Sequence, residues 1–197
     1  VKSNVISQKT RSELLEVAWA LIAQKGRLDL PMSELAAAAG VSRQAAYLAF
    51  GSRAGLLEAM VAHVDAGSPA LARLRTAGEA ADGSIASLAL YIGAWIDYLP
   101  VIYPVASLLS AAAVTDPTAA AIWQGRMQLL KGRYRQMMAK AKAAGNLAEE
   151  WPVNLAADIC YELTHIDSWR ILVVECGWSP EEFVSSRLRL LSAMVRA

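Results

Sequence analysis

The chain has 197 residues, 55% hydrophobic and 19% charged, with a formal net charge of +1. That composition can fill a sizeable core, which excludes a disordered chain, and the length fits one domain or a small one fused to a larger. The near-neutral total excludes binding to a polyanion through bulk charge, so only the distribution of charge is informative.

Residues 1–53 hold seven basic side chains, Lys2, Lys9, Arg11, Lys25, Arg27, Arg43 and Arg53, against four acidic ones. The remainder holds twelve basic against fourteen acidic. A basic head on a mildly acidic body suits contact with a polyanion. Cys160 and Cys176 have neither disulfide-framework nor metal-ligand spacing, and read as buried thiols of a reducing, cytoplasmic compartment. Val1 to Thr10 is polar, without the apolar run of a signal peptide. The apolar stretch 87–114 is interrupted by Asp97, Pro100 and Pro104. Its clean part is too short for roughly 30 Å of hydrocarbon, so it reads as buried helix without membrane contact.

Helical periodicity runs through nearly the whole chain, which predicts an all-α fold. A first helix spans about Thr10 to Lys25, opened by a Thr10-x-x-Glu13 capping box and ended by Gly26. Its apolar stripe is Leu14, Val17, Ala18, Leu21 and Ile22. A second helix starts near Pro31 and stops at Gly40. Ser42 caps a short third one, Arg43 to Ala49, and Ser52 caps a fourth that continues to about Ala66. The breaker cluster at 66–70 reads as a hinge. Helices then follow from Asp82 or Ser84 to Leu99 and, after a turn at the two prolines, over roughly 105–114. Asp116-Pro117 launches a long helix to Ala144. Another covers about 153–176, and Ser179-Pro180-Glu181-Glu182 opens the last, to 196.

Helices two and three have the pattern of a helix-turn-helix. Ala36 is small enough for a close crossing, Gly40 permits a left-handed turn, and Val41 and Ala46 pack the second helix on the first. Arg43, Gln44 and Ala45 then stand at the start of the recognition helix. Arginine suits guanine and glutamine suits adenine, each by paired hydrogen bonds. Tyr47, one turn on, can bond a phosphate, and Arg53 at the next helix start can face the backbone.

Residues 10–61 resemble the DNA-binding region of tetracycline-repressor-like (TetR family) transcriptional regulators. The matching places are Leu35-Ala36, Ala39-Gly40-Val41-Ser42, the Tyr47/Phe50 pair, Ser52-Arg53 and Leu56-Leu57. The chain departs from the family pattern at Pro31, where a hydroxyl residue is usual, and at Ala49, where His or Tyr is usual. Arg53 replaces a lysine, and Ala46 a leucine. Two phosphate contacts are thus missing, which predicts weaker binding with a flatter salt dependence.

The resemblance implies an N-terminal three-helix DNA-binding domain, residues 1–53, and a C-terminal helical bundle, residues 54–197, for ligand binding and dimerisation. It implies a homodimer on double-stranded, pseudo-palindromic DNA and a small-molecule effector among the later helices. Tyr91, Trp95, Tyr98, Trp123, Met127, Tyr161 and His165 are the candidates to line that site, although aromatic stripes at helical spacing also serve as plain core. Ile166, Trp169, Val173, Phe183, Leu188 and Leu191 are the candidates for the dimer surface. Asp97 reads as solvent-facing, because an unpaired buried carboxylate is costly.

Glu162-x-x-His165 has the spacing of one half of a carboxylate di-iron site. The other histidine, His63, has Met60 three residues before it, so the second half is missing. No nucleophile elbow or phosphate-binding glycine loop is present, and the reading is a regulator with neither catalytic residues, metal nor cofactor. The competing reading is a helical protein-interaction or ligand-binding module with a vestigial helix-turn-helix, supported by the departures at Pro31 and Ala49.

Overall fold

The computed structural model describes residues 6–196. Lys2, counted above in the basic head, and the first half of the stretch read for a signal peptide lie outside them. The described residues form helices α1 (Gln8–Lys25), α2 (Met32–Ala38), α3 (Arg43–Phe50), α4 (Arg53–Gly67), α5 (Pro69–Ala80), α6 (Ile85–Ala112), α7 (Pro117–Ala143), α8 (Val153–Thr164), α9 (Ile166–Trp169) and α10 (Pro180–Leu191). A π-helical turn, Arg170–Glu175, follows α9. The all-α expectation holds.

The chain forms two compact units, one of residues 1–68 and 104–123, the other of 69–103 and 124–197. In the first, α1 packs on α2 and α4, and α3 on both α2 and α4. Leu14, Ala18 and Ile22 of the predicted stripe are buried, joined by Leu35, Leu56, Leu57 and Met60, and by Val105, Leu109 and Ala119. In the second, Leu88, Ile92 and Leu99 of α6 pack with Tyr134 of α7 and Phe183 of α10. An isolated antiparallel bridge, Leu147 with Val195, ties the end of the chain to the segment after α7.

Several boundaries differ from the sequence reading. Ser7, not Thr10, caps α1, and its side chain accepts from the Thr10 amide. The region 66–70 is no extended breaker: Ser68 alone separates α4 from α5, a helix the reading missed. Pro100 and Pro104 do not make a turn, and α6 runs through both. Each costs about 3 kcal/mol inside a helix. Both prolines are exposed, while Ile96, Leu99, Val105 and Leu109 are buried. Each such burial returns about 1.5–3 kcal/mol. The helix is long and apolar enough to cross a membrane; Leu88, Ile92, Ile96 and Leu99 lie in the second core and Val105 and Leu109 in the first, while Leu90 and Val101 are exposed.

The helix predicted over 153–176 is broken at His165, whose backbone is extended. Side chains cap the carbonyls that the break exposes. Ser168 Oγ donates to Glu162 (2.8 Å), Arg187 Nε to Leu163 (2.7 Å) and Trp95 Nε1 to Thr164 (2.8 Å). Helix ends leave such carbonyls unpaired, and long-range partners are invisible to local periodicity. Of the two cysteines, Cys160 is buried but Cys176, beyond the π-turn, is exposed, which corrects that expectation. Burial pushes the Cys160 thiol up to about 12.

Candidate nucleic-acid interface

The turn between α2 and α3 follows from Gly40, whose φ of +67° is left-handed and open to glycine at little cost. Its amide donates to Ala37 O and the Val41 amide to Ala36 O, the paired bonds of a Schellman motif. Ser42 then caps α3, its Oγ accepting from the Ala45 amide at 3.1 Å. Pro31 caps α2 without a side-chain bond, as its missing hydroxyl requires.

The inner side of α3 is Ala46, fully buried, and Phe50. Its far end is clamped by Arg11 of α1, whose Nη1 donates to Ala49 O at 2.6 Å while the guanidinium lies 4.2 Å from the Phe50 ring centroid. The start of α4 comes so close that a Cβ at Gly55 would fall on the Phe50 carbonyl oxygen. Only glycine allows that approach, which fixes the angle at which α4 leaves α3.

The outer side carries Arg43, Gln44, Tyr47 and Leu48, all exposed, with Ala45 half-buried at its edge. The Arg43 guanidinium stands 5.4 Å from the Tyr47 ring centroid. The exposed side of α3 thus combines a cation and an amide at the positive end of the helix with a phenol and an isobutyl group in its second half. These are the groups that read base edges and hold phosphates.

Arg53 is placed differently from the other predicted contacts. Its Nη2 donates to Leu28 O and its Nη1 lies 3.6 Å from the Asp116 carboxylate, while its Nε is buried without a partner. Asp116 also accepts from the Thr118 and Ala119 amides, which hold its carboxyl below the ordinary carboxylate range, with Arg53 adding to the effect. Arg53 therefore joins the start of α4 to the loop before α2 and to the cap of α7. Sequence reasoning missed Arg11 and Leu48. Leu48 was legible from helical periodicity, whereas nothing local marks Arg11 as a clamp.

The predicted effector residues are scattered. Tyr91, Trp95 and Tyr98 are buried in the second core, with Trp95 and Tyr98 6.0 Å apart by ring centroid. Tyr134 stands edge-on to Tyr91, and its hydroxyl meets Thr164 Oγ at 2.7 Å. Burial pushes both tyrosine hydroxyls well up. Tyr161 and His165 are half-buried neighbours, ring centroids 5.2 Å apart, with Lys131 over the Tyr161 ring. Met127 is half-buried, and Trp123 packs on the core of the first unit. Asp97 is exposed, as expected, and meets Arg73 at 3.2 Å. Of the dimer candidates, Ile166, Trp169, Phe183 and Leu191 are buried within the chain and Val173 and Leu188 are half-buried. The exposed apolar side chains nearby are Leu155, Ile171, Val174 and Leu190. Among the described residues, no cluster of three or more His, Cys, Asp or Glu could hold a metal.

Residues 14–60 match the family model described as bacterial regulatory proteins, tetR family. No curated protein sequence matches the chain. Among solved structures, a TetR-family regulator from Rhodococcus sp. superposes with a TM-score of 0.73 at 21% identity, over 96% of this chain and 100% of that one. NalD, the secondary repressor of the MexAB-OprM multidrug efflux pump in Pseudomonas aeruginosa, gives 0.71 at 21% identity over 96% and 97%. SmeT, the repressor of the Stenotrophomonas maltophilia multidrug efflux pump SmeDEF, gives 0.71 at 20% identity over 96% and 92%. These likenesses establish the fold along nearly the whole chain, and the family model covers the helix-turn-helix itself. Residues 14–60 thus carry the sequence pattern of the tetR family of bacterial regulatory proteins, and the chain around them has the fold of solved members of that family.

Proposed function

We propose that the chain is a cytoplasmic, ligand-responsive repressor that binds a pseudo-palindromic operator as a homodimer. The observation that carries this reading is the outer face of α3. Arg43, Gln44 and Tyr47 stand exposed on a helix capped by Ser42 and clamped by Arg11. Arg43 and Gln44 read base edges, Ala45 lies against the groove wall, and Tyr47 bonds a phosphate. Arg53, engaged by Leu28 and Asp116, positions the start of α4. Residues 1–53 are the reading head, and 54–197 carry effector binding and dimerisation.

The effector is small and largely apolar or aromatic, and its site draws on Tyr91, Trp95, Tyr98, Met127, Tyr161 and His165. The structural neighbour SmeT has been solved with triclosan, which supports an aromatic ligand class. A second copy covers Ile171, Val174 and Leu190, which support the dimer reading because large exposed apolar groups are costly in water. Effector and DNA then prefer different separations of the two heads, and each weakens the other through a shift in population.

The test is selection of duplexes from a random pool at moderate salt, with an Arg43→Ala/Tyr47→Ala variant alongside. A pseudo-palindrome enriched by the native protein and lost in the variant is the expected result. No enrichment by a folded dimer refutes the reading.

A further inference from the structure

We propose that Leu48 reads DNA by packing on the 5-methyl group of a thymine. The proposal rests on α3 being the reading helix and names one element of its specificity.

The position of Leu48 follows from helix geometry. Successive side chains turn by about 100°. Ala46 and Phe50, which face the core at 0% and 9% exposure, lie two residues to either side of Leu48. Leu48 therefore points about 160° away from both, along the outermost line of α3. Gln44 lies one turn before it, about 40° from that line, and Tyr47 stands about 100° to the same side. Leu48 is 59% exposed and Tyr47 38%, so the larger share of the leucine is open to a ligand.

The chemistry then selects the partner. Leu48 is absent from the core of the unit, and the nearest outward side chains on α3 are the Gln44 amide and the Tyr47 phenol. Phosphate oxygens and the edges of guanine, adenine and cytosine offer polar atoms that an isobutyl group cannot pair. The thymine methyl is the apolar feature of the major-groove edge, and apolar side chains contact it. With Gln44 suited to adenine one turn earlier, α3 is built to read adjacent A·T pairs, Gln44 by hydrogen bonds and Leu48 by shape.

Replacing thymine by deoxyuridine removes that methyl and leaves base pairing intact. Each thymine of one selected half-site is replaced in turn, and dissociation constants are measured for the full chain and for Leu48→Ala. The native protein loses about fourfold at one thymine, the effect of exposing one buried carbon. Leu48→Ala binds the thymine and deoxyuridine forms of that position equally and keeps its response at every other position. Because Leu48 is exposed, the variant folds, and an unchanged unfolding midpoint checks this. The proposal is overturned if no deoxyuridine substitution matters, or if the sensitive thymine stays sensitive in Leu48→Ala. Failure to select any operator overturns both this assignment and the regulator reading beneath it, whereas an operator indifferent to the methyl overturns this assignment alone.

Discussion

Arg11 lies on α1, away from the outer face of α3, yet it holds the reading helix in place. Replacing it with methionine keeps the apolar stem and removes the guanidinium. The 2.6 Å bond to Ala49 O is charge-assisted, and such bonds contribute about 1.5–3 kcal/mol. The contact with the Phe50 ring at 4.2 Å adds about 0.5–1 kcal/mol at a partly exposed site. Arg11 is half-buried, so solvent screens part of this, and about 2 kcal/mol is the expected loss. That corresponds to a roughly 30-fold change in a local opening equilibrium. Native-state hydrogen exchange at the amides of Ala46 and Gly51, which bond to Ser42 and Tyr47, measures it directly. Those amides should exchange about 30-fold faster in Arg11→Met. DNA affinity is the wrong readout, because it falls only by the fraction of chains with α3 unformed, which stays small while the helix is mostly closed. Arg11→Lys retains the charge but not the fork geometry, and should recover only part of the protection. Exchange within twofold of the native protein in a folded Arg11→Met variant would refute the clamp.

Two further predictions concern the second unit. Thr164 Oγ donates to Cys160 O, so the fully buried Tyr134 hydroxyl donates to Thr164. Thr164→Val should cost about 2 kcal/mol by stranding that hydroxyl, and Tyr134→Phe about 1. The double variant should cost less than their sum, read as melting shifts of about 2–4 °C per kcal/mol, and strict additivity would show the pair is not coupled. His165 should make stability depend on pH. Burial lowers its pKa below the ordinary 6.5, while Asp167 and Glu162 pull it up and Lys131 pushes it down. The unfolded chain then takes up the proton first, so the contribution of His165 is complete above about pH 6.5 and declines as pH falls toward the folded value. His165→Asn can keep an acceptor for the Asp167 amide and should flatten that part of a denaturant-midpoint profile against pH. Parallel profiles would count against the assignment.

The reading head was legible because its determinants are local. Gly40, Ser42, Ser52 and the apolar spacing of α1 to α4 act within a few residues, and each boundary there fell within about two residues of its place, the ordinary scatter of helix ends. Orientation of the side chains was legible too, since Ala46 and Phe50 define the inner edge of α3 and everything opposite must face out. The role of Arg53 was not. Its partners, Leu28 O and Asp116, are 25 and 63 positions away in the chain, and nothing in the Ser52-Arg53 pair says which way the guanidinium turns.

The second unit resisted for a related reason. Proline and periodicity rules assume that a helix pays its own costs, but α6 continues through Pro100 and Pro104 because two different cores bury its neighbouring residues. The opposite error occurred at His165. An unbroken apolar pattern predicted one helix there, yet the chain stops α8, because Trp95, Arg187 and Ser168 stand ready to bond the exposed carbonyls. These donors come from α6, α10 and α9, so the break is a property of the assembled unit and not of residues 153–176. The same logic bears on the aromatic residues. Trp95 is committed by its ring nitrogen to Thr164, and Tyr134 by its hydroxyl to the same residue, so neither has that polar group to offer an effector without opening the α8 break. An effector that takes either bond must release Thr164, and with it the end of α8.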